Sequence, residues 1–123
     1  MSGSTNTPIT ELVPAHEVTV KESLSDQAVE SLAAVLRVLA DPTRIRLIEA
    51  LDAGGRATVT SLTVRLPISQ QSVSRQLGVL HNAGIVARRR EGVWVRYELC
   101  DWTGPWVLRQ LAAGLGGDSL SGS

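Results

Sequence analysis

Apolar residues change their spacing twice along this chain, and the order of the changes leaves few folds open to it. Through Leu80 they recur at three- and four-residue steps, from Ile85 to Leu99 they alternate, and after Trp102 the helical spacing returns. The first run follows Ser25, a residue suited to capping, and sets Val29, Leu32, Ala33, Leu36, Leu39 and Ala40 on one helical face. Asp41-Pro42 ends it and opens a second helix, because Asp caps unpaired amides and Pro has none to lose in a first turn. Ile45, Leu47, Ile48 and Leu51 give that helix an apolar side, and Gly54-Gly55 stops it. A short third helix with Val59, Leu62 and Leu66 on one face is capped by Thr58 or Thr60 and halted by Pro67. Ser69 starts a fourth, which runs toward Asn82 with Val73, Leu77 and Leu80 inward and ends at Gly84.

In the alternating segment Val93, Val95, Tyr97 and Leu99 interleave with Trp94, Arg96 and Glu98, which predicts a β-hairpin turning at Glu91-Gly92. A plain two-residue turn there sets Arg90 opposite Val93 and Arg89 opposite Trp94. A last helix from Trp102 to Leu115 carries Trp106, Val107, Leu111 and Leu115. The expected fold is mainly α with a β-hairpin wing, about five helices in all; two short helices joined at Pro67-Ile68, with the hairpin straight after, give the order of a winged helix-turn-helix.

With 123 residues, 43% of them hydrophobic, the chain suits one domain. Residues 1–22 mix Ser, Thr, Pro and acidic types without periodicity and are expected to be a flexible arm. Residues 23–116 form the expected winged helix-turn-helix domain, and 117–123 a disordered tail. No apolar run approaches a membrane span, and Met1 to Val20 holds neither Lys nor Arg nor a sustained apolar segment, so no membrane partner and a cytoplasmic location are expected. The lone cysteine, Cys100, excludes an internal disulfide and a closed thiolate zinc site made by one chain. Net charge is zero overall but unevenly divided: residues 1–35 carry −4, residues 36–96 carry +6 and residues 97–123 carry −2. A basic block between acidic ends suits a polyanion such as nucleic acid, and it also suits a solvated arginine-rich surface.

The fourth helix weighs between these two. With Val73, Leu77 and Leu80 inward, steps of about 100° place Gln71, Arg75, Gly78 and Asn82 on the opposite side, flanked by Ser72. Gln reads adenine and Arg reads guanine bidentately, and Ser bonds a base or a phosphate, so this face carries residue types that a major groove can use. Arg88, Arg89 and Arg90 before the hairpin turn, with Arg96 after it, suit phosphate contact at the wing; edge protection by charge is their structural alternative. No paired carboxylates, Ser/His/Asp set or phosphate loop stands at usable spacing, so enzymatic chemistry is not expected.

LADPTRIRLIEAL (39–51), SQQSVSRQLGVLHNAGIV (69–86) and RRREGVWVRYEL (88–99) occur in an order and spacing that resembles the ArsR/SmtB family of bacterial winged-helix regulators. The resemblance covers about residues 25–115. It implies a homodimer joined through first and last helices, a palindromic double-stranded DNA operator, and transcription, by family default repressed, under control of an effector. By position it implies that Ser69, Gln70, Gln71, Ser72, Ser74, Arg75 and Gln76 lie at the reading end of the recognition helix and that Arg89 and Arg90 form the wing. The alternative within the same fold is a protein-interaction or dimerisation module that recognises no operator.

This family often senses metals, and the chain departs from its patterns. Thr58-Val59-Thr60 stands where thiolate-site members carry Cys-x-Cys, and hydroxyls replace soft thiolates poorly. At the last-helix site Asp101 remains, but Thr103, Gly114 and Gly117 occupy the other positions. The remaining candidates are Cys100 beside Asp101, as an oxidisable thiol or one ligand of an inter-subunit site, and His16 with Glu17 in the arm. Imidazole with carboxylates suits nickel or zinc as an effector. A small buried Cys and a solvated His are the structural alternatives. The arm is long enough to contact a partner protein as well.

Overall fold

The computed structural model describes residues 23–116. The expected arm over 1–22, its partner contact and its His16, and the expected tail over 117–123, lie outside the described residues. The described residues form α1 (Asp26–Leu39), α2 (Pro42–Gly54), α3 (Val59–Arg65), α4 (Gln70–Asn82), β1 (Val86–Glu91), β2 (Trp94–Leu99) and α5 (Thr103–Leu115). This is the expected winged helix-turn-helix.

The helix starts follow from capping. The Ser25 hydroxyl accepts from the Ala28 N–H at 3.1 Å and Asp41 Oδ1 from the Arg44 N–H at 3.1 Å, while Pro42 fills the first turn of α2. Thr58, not Thr60, begins α3: its hydroxyl accepts from the Ser61 N–H at 3.0 Å, and the Thr58 N–H donates to the Ser61 hydroxyl at 3.0 Å. Leu66 then turns extended ahead of Pro67, and Ser69 caps α4 by accepting from the Ser72 N–H at 3.1 Å.

The core is built where these elements meet. Leu47, Ile48, Leu62, Val73, Leu77 and Leu80 are each 0% exposed, and Leu39, Leu51, Ala57, Val86 and Tyr97 close around them. Burying each large aliphatic side chain contributes about 1.5–3 kcal/mol, so the inward stripe of α4 is a principal term in holding that helix. A second tie comes from Ala57, ahead of α3. Its N–H donates to the Tyr97 carbonyl at 2.9 Å and its carbonyl accepts from the Tyr97 N–H at 2.8 Å, which joins the loop to β2.

One expectation changes, the register of the hairpin turn. Glu91 pairs with Trp94, Arg90 with Val95 and Arg89 with Arg96, so the turn residues are Gly92 and Val93 and not Glu91-Gly92. Gly92, at φ +65°, serves as the first central residue of the turn, where the primed hairpin turns need a positive φ. Moving the turn by one residue moves the pairing by two, so each side chain keeps its face. In α5 the inward side is Pro105, with Val107 and Leu108 half-buried, whereas Trp106, Leu111 and Leu115 are exposed. Along α1 only Leu39 is buried; Val29, Leu32, Val35 and Leu36 are exposed. Period reveals that a helix has an apolar face but not what covers it. The described chain divides into two compact units within α1, at Ala33–Ala34. No helix of the described residues is long and apolar enough to cross a membrane.

Candidate nucleic-acid interface

Burying Val73, Leu77 and Leu80 turns the rest of α4 outward. Ser69, Gln70, Gln71, Ser74, Arg75 and Asn82 are exposed, and Ser72 and Gly78 are half-buried. The Ser69 oxygen is occupied as the cap, yet its O–H remains able to donate. Arg75 takes part in no ion pair among the described residues. A Cβ built on Gly78 meets nothing within 4 Å. Glycine inside a helix costs about 1 kcal/mol relative to alanine, and no neighbour among the described residues demands it here.

Gln76 differs from the rest of the expected reading set. It is half-buried, and its Oε1 accepts from Arg44 Nη1 at 2.7 Å. Its position three residues beyond Val73, at the rim of the inward stripe, was the sequence signal for this placement.

On the wing, Arg88, Arg89 and Arg90 are all exposed, and carboxylates divide the cations into two groups. Arg89 Nε donates to Glu98 Oε2 at 3.0 Å. Glu91 holds two cations, accepting from Arg96 Nε on one oxygen and from Arg56 Nη1 on the other, each at 2.7 Å. Arg88 and Arg90 enter no ion pair among the described residues. Exposed pairs of this kind are worth about 0.2–1 kcal/mol, less than a charge-assisted bond to phosphate, so Arg89 and Arg96 remain exchangeable cations while Arg88 and Arg90 are immediately available. The resemblance narrows the Arg88–Arg90 run to Arg89 and Arg90, and sequence reading passes over Arg56. Alternation shows which face a side chain takes, not which long side chain it meets.

The other candidates are not brought together into a site. Cys100 is exposed, and Asp101 Oδ1 accepts from the Thr103 N–H at 2.8 Å where α5 begins. Among the described residues no group of three His, Cys, Asp or Glu is placed to hold a metal ion. These residues do not fit a metal site by themselves. His81 ends α4 with Nδ1 at 3.4 Å from the Val86 carbonyl, a local contact at the helix end.

A family model described as a helix-turn-helix domain matches residues 39–89. The chain is similar to the arsenic resistance transcriptional regulator ArsR1 of Pseudomonas putida, 41% identical over 73 residues that make up 59% of this chain and 57% of that protein. It thus spans less than two thirds of that regulator's length. It is similar over a longer stretch to the transcriptional repressor SmtB homolog of Synechocystis, 35% identical over 94 residues, which cover 76% of this chain and 70% of the relative. The crystal structure of the transcriptional repressor BigR from Xylella fastidiosa matches with a TM-score of 0.65 at 28% identity, over 75% of this chain and 93% of that one.

Proposed function

The chain belongs to the ArsR/SmtB family of winged-helix transcriptional regulators, and on that footing we propose that it acts in the cytoplasm as a homodimer that binds a palindromic double-stranded DNA operator and represses transcription there. The observation that carries the reading is the division of α4 into three fully buried aliphatics on one side and exposed Gln71 and Arg75 on the other. Ser69, Gln70, Gln71, Ser72, Ser74 and Arg75 supply the contacts at the groove, and Arg88 to Arg90 grip the backbone beside it. Dimerisation is supported by the exposed apolar side chains of α1 and of α5, because surfaces of monomeric proteins seldom leave such sets open.

The test is salt-dependent binding to a duplex that the protein selects from a random pool. Each phosphate neutralised contributes about 0.9 to the slope of log affinity against log salt. Arg90→Ala should weaken binding to all duplexes alike and flatten that slope. Arg89→Ala should do the same by less, since Glu98 already offsets its charge. A loss confined to one base position would show that the wing reads sequence. A wild-type slope near zero would favour an interaction module in place of an operator-binding protein.

For the effector the reading carries forward a divalent transition metal, nickel or zinc, with His16, Cys100 and Asp101 as the candidate ligands. Titration of the dimer with and without the selected duplex tests it. Linkage requires the metal to change DNA affinity by the factor by which DNA changes metal affinity. Equal DNA affinity with and without bound metal would remove metals from the reading.

A further inference from the structure

Arg44 lies in the first turn of α2, with its side chain only 16% exposed. Its Nε donates to the Val38 carbonyl at 2.6 Å and its Nη1 donates to Gln76 Oε1 at 2.7 Å. Asp41 Oδ2 stands 3.9 Å from the same Nη1. One guanidinium thus bridges the last turn of α1, the start of α2 and the middle of α4. The Val38 carbonyl is among the four at the end of α1 that lack a helical partner, and a cation is favoured at that end of a helix. The fork is planar and rigid, so bonds from two of its nitrogens fix a direction as well as a distance.

Apolar packing holds α4 against the core and settles which face is inward, but the hydrophobic effect is nondirectional and does not by itself fix the last few degrees of roll. A directional bond to Gln76 specifies it. With a helix radius of about 5 Å, a roll of about 10° moves a surface group by roughly 1 Å, enough to degrade hydrogen bonds that weaken steeply with misalignment. We propose that Arg44 is a positioning residue for base recognition: by joining the Val38 carbonyl to Gln76 it sets the roll of α4, and sequence discrimination depends on a side chain that touches no base. The proposal rests on α4 being the recognition helix.

The experiment compares wild type, Arg44→Lys, Gln76→Leu and the double variant. The readout is the affinity ratio between a duplex selected by the wild type from a random pool and a scrambled duplex of the same composition, at one salt concentration, with salt slope and thermal midpoint alongside. Each single variant is expected to lower the ratio by about threefold or more, the low end of coupling between contacting residues, with the scrambled-duplex affinity and salt slope retained. The double variant is expected to fall no further than the lower single. Losses that multiply in the double would mean that Gln76 meets DNA independently, and unchanged ratios would mean that the core alone sets the roll; either overturns the proposal. Should Arg44→Lys not fold, Gln76→Glu decides. It keeps an acceptor for the guanidinium and should preserve the ratio that Gln76→Leu loses, whereas equal loss in both overturns the proposal. A wild type with no preference between the duplexes would instead sink the functional reading itself.

Discussion

Leu111→Glu should leave the fold intact, convert a dimer into a monomer and lower affinity for the selected duplex by about 10²- to 10⁴-fold, the range by which a linked second site raises avidity. The side chain is 58% exposed on α5, so a carboxylate there disturbs little of the core. In a dimer joined through this helix the carboxylate is carried into an apolar contact on both subunits, and charge there is strongly disfavoured. Each monomer then holds one half-site with one recognition helix. Sedimentation and duplex binding measured on the same sample check both halves of the expectation. A variant that remains dimeric and binds as tightly as wild type would remove α5 from the interface.

Arg75→Ala is the second large effect, about 1–3 kcal/mol or about 5- to 150-fold for each half-site, if the guanidinium reads guanine bidentately. Arg75 is exposed on α4 and has no ion-pair partner among the described residues, so its removal leaves no buried charge behind and should hardly move the thermal midpoint. Selection from a random pool should then show relaxed preference at one symmetric pair of positions, with the rest of the profile retained. An unchanged profile would assign Arg75 to phosphate contact.

Much of the fold was legible because local rules and tertiary packing agree. Ser25, Asp41, Thr58 and Ser69 cap helices for chemical reasons that act within three residues, and Val73, Leu77 and Leu80 follow the helical period into full burial. What the sequence leaves open is decided by partners distant along the chain. Glycine at 92 supports a turn in either of two registers, and only the pairing of Glu91 with Trp94 distinguishes them. The apolar faces of α1 and α5 are plain in the sequence, but the absence of a partner for them within the described residues is not. Gln76 carries an amide of the groove-reading type, but its Oε1 is taken by Arg44, 32 residues earlier. Arg88 and Arg90 differ from Arg89 and Arg96 only through which carboxylates lie within reach.

The reciprocal bonds between Ala57 and Tyr97 stitch the hairpin to the segment that leads into the helix pair. In the proposed complex, backbone grip and base reading therefore reach the duplex as parts of one preorganised body. The orientational freedom that a loosely hinged wing would surrender at encounter is surrendered during folding, and more of the contact energy remains for holding DNA.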